Sequence, residues 1–226
     1  MHTFWISLSF DDGWKSAITH AFPVLQKYNL PATFYVISDR VDPVQNEYMD
    51  RADLRVLVSA GHEVGSHTRS HRHLPELSDE EVWSEIEQGV ADLRRLGFSP
   101  RTFAYPYGDW SPRIVKQVRE AGFFGARTIE RGINDSTTNH LLLRAYAVRE
   151  EDDVDDVCGW IREARALGGW LILYMHQVEP AAVLRKREWI YGTTPDVLEG
   201  ILSIVVAERI QVLTVEQGLE RLTRVA

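Results

Sequence analysis

The sequence predicts an α/β protein, an incomplete or distorted (β/α) barrel with parallel strands inside and helices outside. Three observations carry this expectation. Strand-like and helix-like segments alternate about seven times, with no internal repeat, low-complexity segment or linker between them. The 226 residues suit one domain, residues 1–226, slightly short for a full eight-fold barrel. No Gly-x-Gly-x-x-Gly follows the first strand, so a dinucleotide-binding sheet has no support.

The first strand ends in the stretch Ile6-Ser7-Leu8-Ser9-Phe10-Asp11-Asp12-Gly13. Phe4, Ile6, Leu8 and Phe10 alternate with smaller or polar residues, the period of a half-buried strand. Asp11, Asp12 and Gly13 are turn formers, so two carboxylates are left at the strand's C-terminal end. Residues 15–28 carry a helical apolar stripe, with Pro23 placed to bend or split it. Residues 32–37 read as a strand covered on both faces, and 51–59 as a short helix stopped by Gly61. A third strand, 62–66, runs into His67-Thr68-Arg69-Ser70-His71.

Ser78 and Glu81 form a capping box for a helix reaching about residue 96. The fourth strand, 101–104, leads into Tyr105-Pro106-Tyr107-Gly108-Asp109, and Ser111-Pro112 caps the next helix. Residues 125–128 are a short strand, 130–140 a polar loop, and 141–148 hold one or two short strands. A helix over 154–167 is broken by Gly168-Gly169, and the apolar strand 170–175 runs straight into His176. After a loop over 179–191, Thr194-Pro195 opens a helix to Arg209, 210–213 is a last strand, and Thr214 with Gln217 opens a C-terminal helix.

Composition removes several function classes. The formal charge of −8 disfavours nucleic acid or an anionic membrane as partner. Cys158 is the only cysteine, which rules out an intramolecular disulfide and a cysteine-based zinc site. No segment approaches the ~20 apolar residues of a membrane span. The N-terminus shows no secretory leader, so the expected location is cytoplasmic, or extracellular or periplasmic if a leader has been removed. Oligomeric state is left open.

In barrels of this kind reactive residues collect at the C-terminal ends of the strands. Four strands placed by apolar pattern end in such residues: Asp11 and Asp12, His67 and His71, Tyr105 to Gly108, and His176. His67 and His71 are four apart and share a face if a helical turn follows the third strand. Two imidazoles and one carboxylate are a three-ligand set with an open position, the pattern of catalytic zinc. His2, His20, His73 and His140 lack such partners and read as surface residues, and His62, at a strand start, as structural.

Ser9-Phe10-Asp11-Asp12-Gly13, Ser66-His67-Thr68-Arg69-Ser70-His71, Phe103-Ala104-Tyr105-Pro106-Tyr107-Gly108 and Leu173-Tyr174-Met175-His176 resemble, in order and spacing, the motifs of polysaccharide deacetylases with the NodB homology domain, carbohydrate esterase family 4. The resemblance implies a NodB-like distorted (β/α)7 barrel. It also implies a metal-dependent N-deacetylase acting on a polysaccharide, oligosaccharide or lipid-linked glycan that carries N-acetyl groups. Asp12, His67 and His71 would bind a divalent metal, zinc foremost, with cobalt, nickel or iron(II) as alternatives. Asp11 would be the general base and His176 the general acid. The Tyr107 backbone N–H, set by the Pro106-Tyr107 turn, would help hold the oxyanion.

Two departures stand out. Many members of that family carry an arginine two residues before the motif-three proline, paired with the base; here that position is Ala104. Arg144 or Arg127, near later strand ends, could take over the pairing. The Asp that commonly tunes the acid histidine is not evident, with Asp135 a weak substitute. Trp14, Trp110, Trp189 and Tyr191 could line a glycan groove or simply pack. Competing readings are an O-acetyl esterase or N-deformylase on the same scaffold, and a non-catalytic carbohydrate-binding protein.

Overall fold

The computed structural model describes residues 4–41, 46–185 and 191–225. Seven parallel strands form the barrel wall: β1 (Trp5–Phe10), β2 (Thr33–Val36), β3 (Glu63–Ser66), β4 (Thr102–Ala104), β5 (Gly125–Arg127), β6 (Tyr146–Ala147) and β7 (Trp170–Met175). Their hydrogen-bonded order is β5-β4-β3-β2-β1-β7-β6. The ring closes through the short segment before β6. Leu143 N–H donates to Ala126 O at 2.8 Å and Thr128 N–H to Leu143 O at 2.9 Å, while Tyr146 and Ala147 pair with β7. The distortion is localised: β3 and β4 share the single ladder pair Ser66–Phe103.

β1 is the strand most fully paired. Its whole length runs beside β7, its C-terminal half beside β2, and its N-terminal half beside a short strand, Gln211–Val212. The alternation in β1 predicts one exposed face, yet all six residues are buried. A barrel strand has no solvent face: Ile6, Leu8 and Phe10 join the large core under the helices, while Ser7 and Ser9 turn into the barrel. There Ser7 Oγ donates to Thr214 O and accepts from Trp170 Nε1, and Ser9 Oγ donates to Leu173 O. Small polar residues inside a barrel are satisfied by neighbouring carbonyls, so alternation marks the two faces and not exposure.

The helices follow their end signals. Residues 17–21 form a π-helical turn that runs into α1 (Phe22–Tyr28), so Pro23 sits where the helix changes from π to α, the irregularity expected of an interior proline. α2 (Arg51–Ser59) is boxed by Asp50 and Asp53, and α3 (Asp79–Arg95) by Ser78 and Glu81. α4 (Pro112–Glu120) starts on its proline, but Ser111 Oγ is buried without a hydrogen-bond partner, contrary to the expected cap. α5 (Val154–Leu167) ends on left-handed Gly168. Two further long helices, Pro195–Ala207 and Val215–Val225, complete the shell. Among the described residues no helix is long and apolar enough to cross a membrane.

The opposite, N-terminal mouth of the barrel is plugged. Glu63, buried, accepts from the hydroxyls of Thr33 (2.7 Å) and Thr102, and from the Glu216 N–H at the start of the last helix (2.9 Å). This leaves the C-terminal mouth as the open end.

Candidate active site

A cavity of about 350 Å³ opens at that mouth, lined by Asp11, Asp12, His67, His71, Tyr107 and His176 among others. The four strand ends singled out from sequence therefore meet in one pocket. The side chains arrive by different local geometries.

Asp12, two residues past the end of β1, sits in the left-handed region, φ 69°. Its Oδ2 accepts from Trp14 Nε1 at 2.9 Å, and the Trp14 ring stacks on Tyr48 at 4.6 Å. Trp14 thus orients a carboxylate. Asp12 Oδ1 lies 3.5 Å from Nε2 of both His67 and His71, is buried, and has no hydrogen-bond partner.

His67 and His71 do not meet on a helical turn. The loop between them contains two left-handed residues, Thr68 (φ 63°) and His71 itself (φ 65°), and these fold His71 back over His67. A β-branched residue in that region costs on the order of 1–3 kcal/mol, so the surroundings must hold it. They do: Glu85 of α3 accepts from Ser70 N–H (2.9 Å) and Ser70 Oγ (2.6 Å), and its carbonyl accepts from Arg69 N–H (3.0 Å). Gly89, one turn on, lets the loop approach, because a Cβ there would lie 2.8 Å from the Thr68 carbonyl carbon. Neither Glu85 nor Gly89 is signalled by the sequence.

His67 Nδ1–H donates to Ala104 O at 2.8 Å, which fixes its tautomer and leaves a lone pair on Nε2. That lone pair faces Asp12 Oδ1 and lies 3.2 Å from His71 Nε2. Burial lowers the proton affinity of both imidazoles, bringing His71 down to about 3, with the neighbouring His67 adding to the effect. Burial would raise Asp12, but His67, His176, His71 and the Trp14 hydrogen bond outweigh it and hold the carboxylate below its usual range. An orphaned carboxylate oxygen facing two neutral imidazole nitrogens is a donor set that a divalent cation satisfies. Among the described residues this is the only such cluster.

Asp11 is 3% exposed. Its Oδ2 accepts a hydrogen bond from Arg127 Nη2, and Arg127 is 1% exposed. Of the two arginines expected as partners, the structure thus pairs Arg127 with Asp11, while Arg144 is exposed with its stem against Gly132. The physical reason is register. Ala104 on β4 is the ladder partner of Arg127 on β5, so the guanidinium comes from one strand over at the same level of the barrel. Burial would disfavour its charge, but Asp11 overrides this and holds Arg127 above its ordinary range. Tyr174 and Tyr35 lie 4.5 and 5.4 Å from the guanidinium, adding cation–π contacts.

His176 follows β7 and places Nε2 4.0 Å from Asp11 Oδ2, with Tyr174 and Tyr191 each 5.9 Å from its ring. Pro106 is buried and starts the 3₁₀ turn in which Tyr107 is left-handed (φ 58°). Gly108 must be glycine, since a Cβ would lie 2.2 Å from Ile129. The Tyr107 ring stacks flat on His73 (3.6 Å between centroids) and leans on His71, and His73 in turn pairs with Asp109. Trp110 does not line the cavity. Its indole bonds Glu130 Oε1 at 3.0 Å and packs on the α3–α4 core. Asp135 is an exposed turn residue bonded to Thr137 and is not on the cavity lining that His176 shares. Trp189 and His2 lie outside the described residues.

The polysaccharide deacetylase family model matches residues 2–126. The chain belongs to the polysaccharide deacetylase family. Among curated relatives, the peptidoglycan-N-acetylglucosamine deacetylase PgdA of Listeria monocytogenes is 32% identical over 117 residues, covering 50% of this chain and 23% of that protein. A Bacillus cereus peptidoglycan-N-acetylglucosamine deacetylase is 30% identical, covering 52% and 53%. Chitin deacetylase 2 of Saccharomyces cerevisiae is 28% identical, covering 72% and 48%. The chain thus spans between about a quarter and half the length of these relatives. In structure it resembles a family 4 acetyl xylan esterase of Clostridium thermocellum, solved with a cobalt ion (TM-score 0.64, 22% identity, 96% and 91% covered). It also resembles a candidate polysaccharide deacetylase of Mycobacterium smegmatis (TM-score 0.72, 15% identity, 98% and 91% covered). These likenesses establish the distorted barrel expected from the sequence.

Proposed function

We propose that this chain is a metal-dependent hydrolase that removes N-acetyl groups from an amino-sugar-containing glycan. The carrying observation is the pairing, in one cavity, of a cation-ready Asp12–His67–His71 set with a separate carboxylate, Asp11, locked by a buried arginine. Two adjacent aspartates are thereby given different work.

Asp12, His67 and His71 would hold a divalent ion, which when bound would supply an activated water at neutral pH and a Lewis acid for the amide carbonyl. Zinc suits this donor set first, with cobalt, nickel or iron(II) as alternatives. Asp11, oriented by Arg127, accepts the proton of the attacking water. Tyr107 N–H lies in the first turn of a 3₁₀ helix, where backbone donors lack intrahelical partners, and it serves the developing oxyanion. His176, across from the ligand set, gives a proton to the leaving amine. The relatives named for peptidoglycan-N-acetylglucosamine and chitin support an N-acetylated glycan as substrate class.

The test is acetate and formate release from three matched substrates: N-acetylated chitooligosaccharides, O-acetylated xylan and an N-formyl sugar. Each is run with metal-stripped and zinc-reloaded protein. Metal-dependent acetate from the amide substrate is expected. Acetate from xylan alone would move the reaction to esters, and no product from any loaded sample would leave a carbohydrate-binding role.

A further inference from the structure

The catalytic cavity contains one element that the hydrolytic scheme does not use. Arg149, just past the C-terminal end of β6, lines the wall beside Tyr174 and His176. Arg127 is consumed by Asp11 and is not on the lining, so Arg149 is the only lysine or arginine there among the described residues.

Its backbone is pinned. Arg149 N–H donates to Asp152 Oδ2 at 2.8 Å, and Asp152 N–H returns to Arg149 O at 3.2 Å. Burial raises the Tyr174 hydroxyl above its ordinary range, and Arg127 and Arg149 both oppose that shift. Its ion pair with Glu151 is long, 3.8 Å, and both side chains are at least half exposed, so solvent screens it heavily. Arg149 also lines an adjoining groove of about 220 Å³ that shares Ile129, Ala147 and Tyr174 with the catalytic cavity. It therefore stands where a substituent or neighbouring unit of a sugar seated over Asp12 would pass. Of the acidic groups on the adjoining groove, Asp152 turns one oxygen to the Arg149 backbone N–H and Glu151 is screened by solvent, which leaves the guanidinium available to a ligand.

We infer that Arg149 forms an oxyanion subsite, so that the preferred substrate is an N-acylated sugar carrying a carboxylate or phosphate close to the acetamide. This rests on the deacetylase reading and names the substrate class within it. A planar guanidinium fits either group with paired hydrogen bonds, and a charge-assisted bond of this kind is worth about ten-fold in binding.

The experiment uses three probes: methyl N-acetylglucosaminide (neutral), N-acetylmuramic acid (carboxylate) and N-acetylglucosamine 1-phosphate. For wild type and Arg149→Gln, calorimetric affinity is read on metal-free protein, and kcat/KM on zinc-loaded protein. Wild type should prefer one anionic probe over the neutral one by about ten-fold, and Arg149→Gln should bring that ratio to about one. The favoured arm tells carboxylate from phosphate. No anion preference in wild-type binding, or a preference that survives in Arg149→Gln, overturns the subsite. Anion preference in binding with no turnover of any probe would instead fail the deacetylase reading and leave the subsite standing.

Discussion

Replacing Arg127 by methionine is the most searching perturbation of this site. Arg127 and Asp11 are 1% and 3% exposed, so the substitution strands a carboxylate in the barrel interior. Breaking a buried pair by removing one partner costs about 3–5 kcal/mol. In a chain of this size each kcal/mol lowers Tm by about 2–4 °C, so a fall of roughly 6–20 °C is expected. Neutralising both partners removes the stranded charge, so Asp11→Asn/Arg127→Met should be more stable than Arg127→Met alone. Thermal melts of the two single variants and the double variant give the coupling. In acetate-release assays Arg127→Met should lose kcat more than it raises KM, because the base is needed in the transition state. Arg144→Ala, at an exposed position, should leave Tm within a degree or two and kcat unchanged. A melt of Arg127→Met matching wild type, or a kcat loss in Arg144→Ala and not in Arg127→Met, would refute the assignment.

Other expectations follow from the same geometry. His67→Ala and His71→Ala should stay folded but lose most bound metal by elemental analysis; unchanged metal content in both would remove the proposed ligand set. Asp11→Asn should keep metal and lose turnover, whereas Asp12→Asn should also weaken metal binding; identical metal titrations would erase the division of labour. His176→Ala should keep metal and retain relatively more activity on a nitrophenyl acetate than on an N-acetyl sugar, because a good leaving group needs little protonation; equal loss on both would end the acid role. Burial lowers His62, whose Nδ1 accepts from Ala32 N–H, to about 4 from 6.5. Between those values the unfolded chain binds a proton that the folded chain refuses. The stability from this site is complete above about pH 6.5 and is lost as pH falls toward 4. One edge of His62 lines a surface groove, where solvent screening reduces the effect to roughly 2 kcal/mol. Urea melts across this range should show the slope, and His62→Gln should flatten it; an unchanged slope in the variant would assign it elsewhere.

Much of this protein was legible in its sequence because the signals are local. An apolar run that stops at Asp-Asp-Gly or at His176 locates a strand end whatever the strand packs against, and parallel strands put all such ends at one mouth. The boxes at Ser78–Glu81 and Thr214–Gln217 depend on residues three apart, so they appeared as written. What tertiary structure decided are relations between segments distant in sequence. Arg127 meets Asp11 across 116 positions because β4 and β5 pair with Ala104 opposite Arg127; an arginine in a three-residue strand carries no mark of that register. The two histidines meet through left-handed Thr68 and His71, a strained loop tolerated because Glu85 and Gly89 on a separate helix hold it and give it room. Periodicity separates the two faces of β1, but only closure of the barrel decides that both are dry. Chain-local hydrogen bonding and apolar pattern are written residue by residue, whereas burial, charge pairing and register are set by which strand lies beside which.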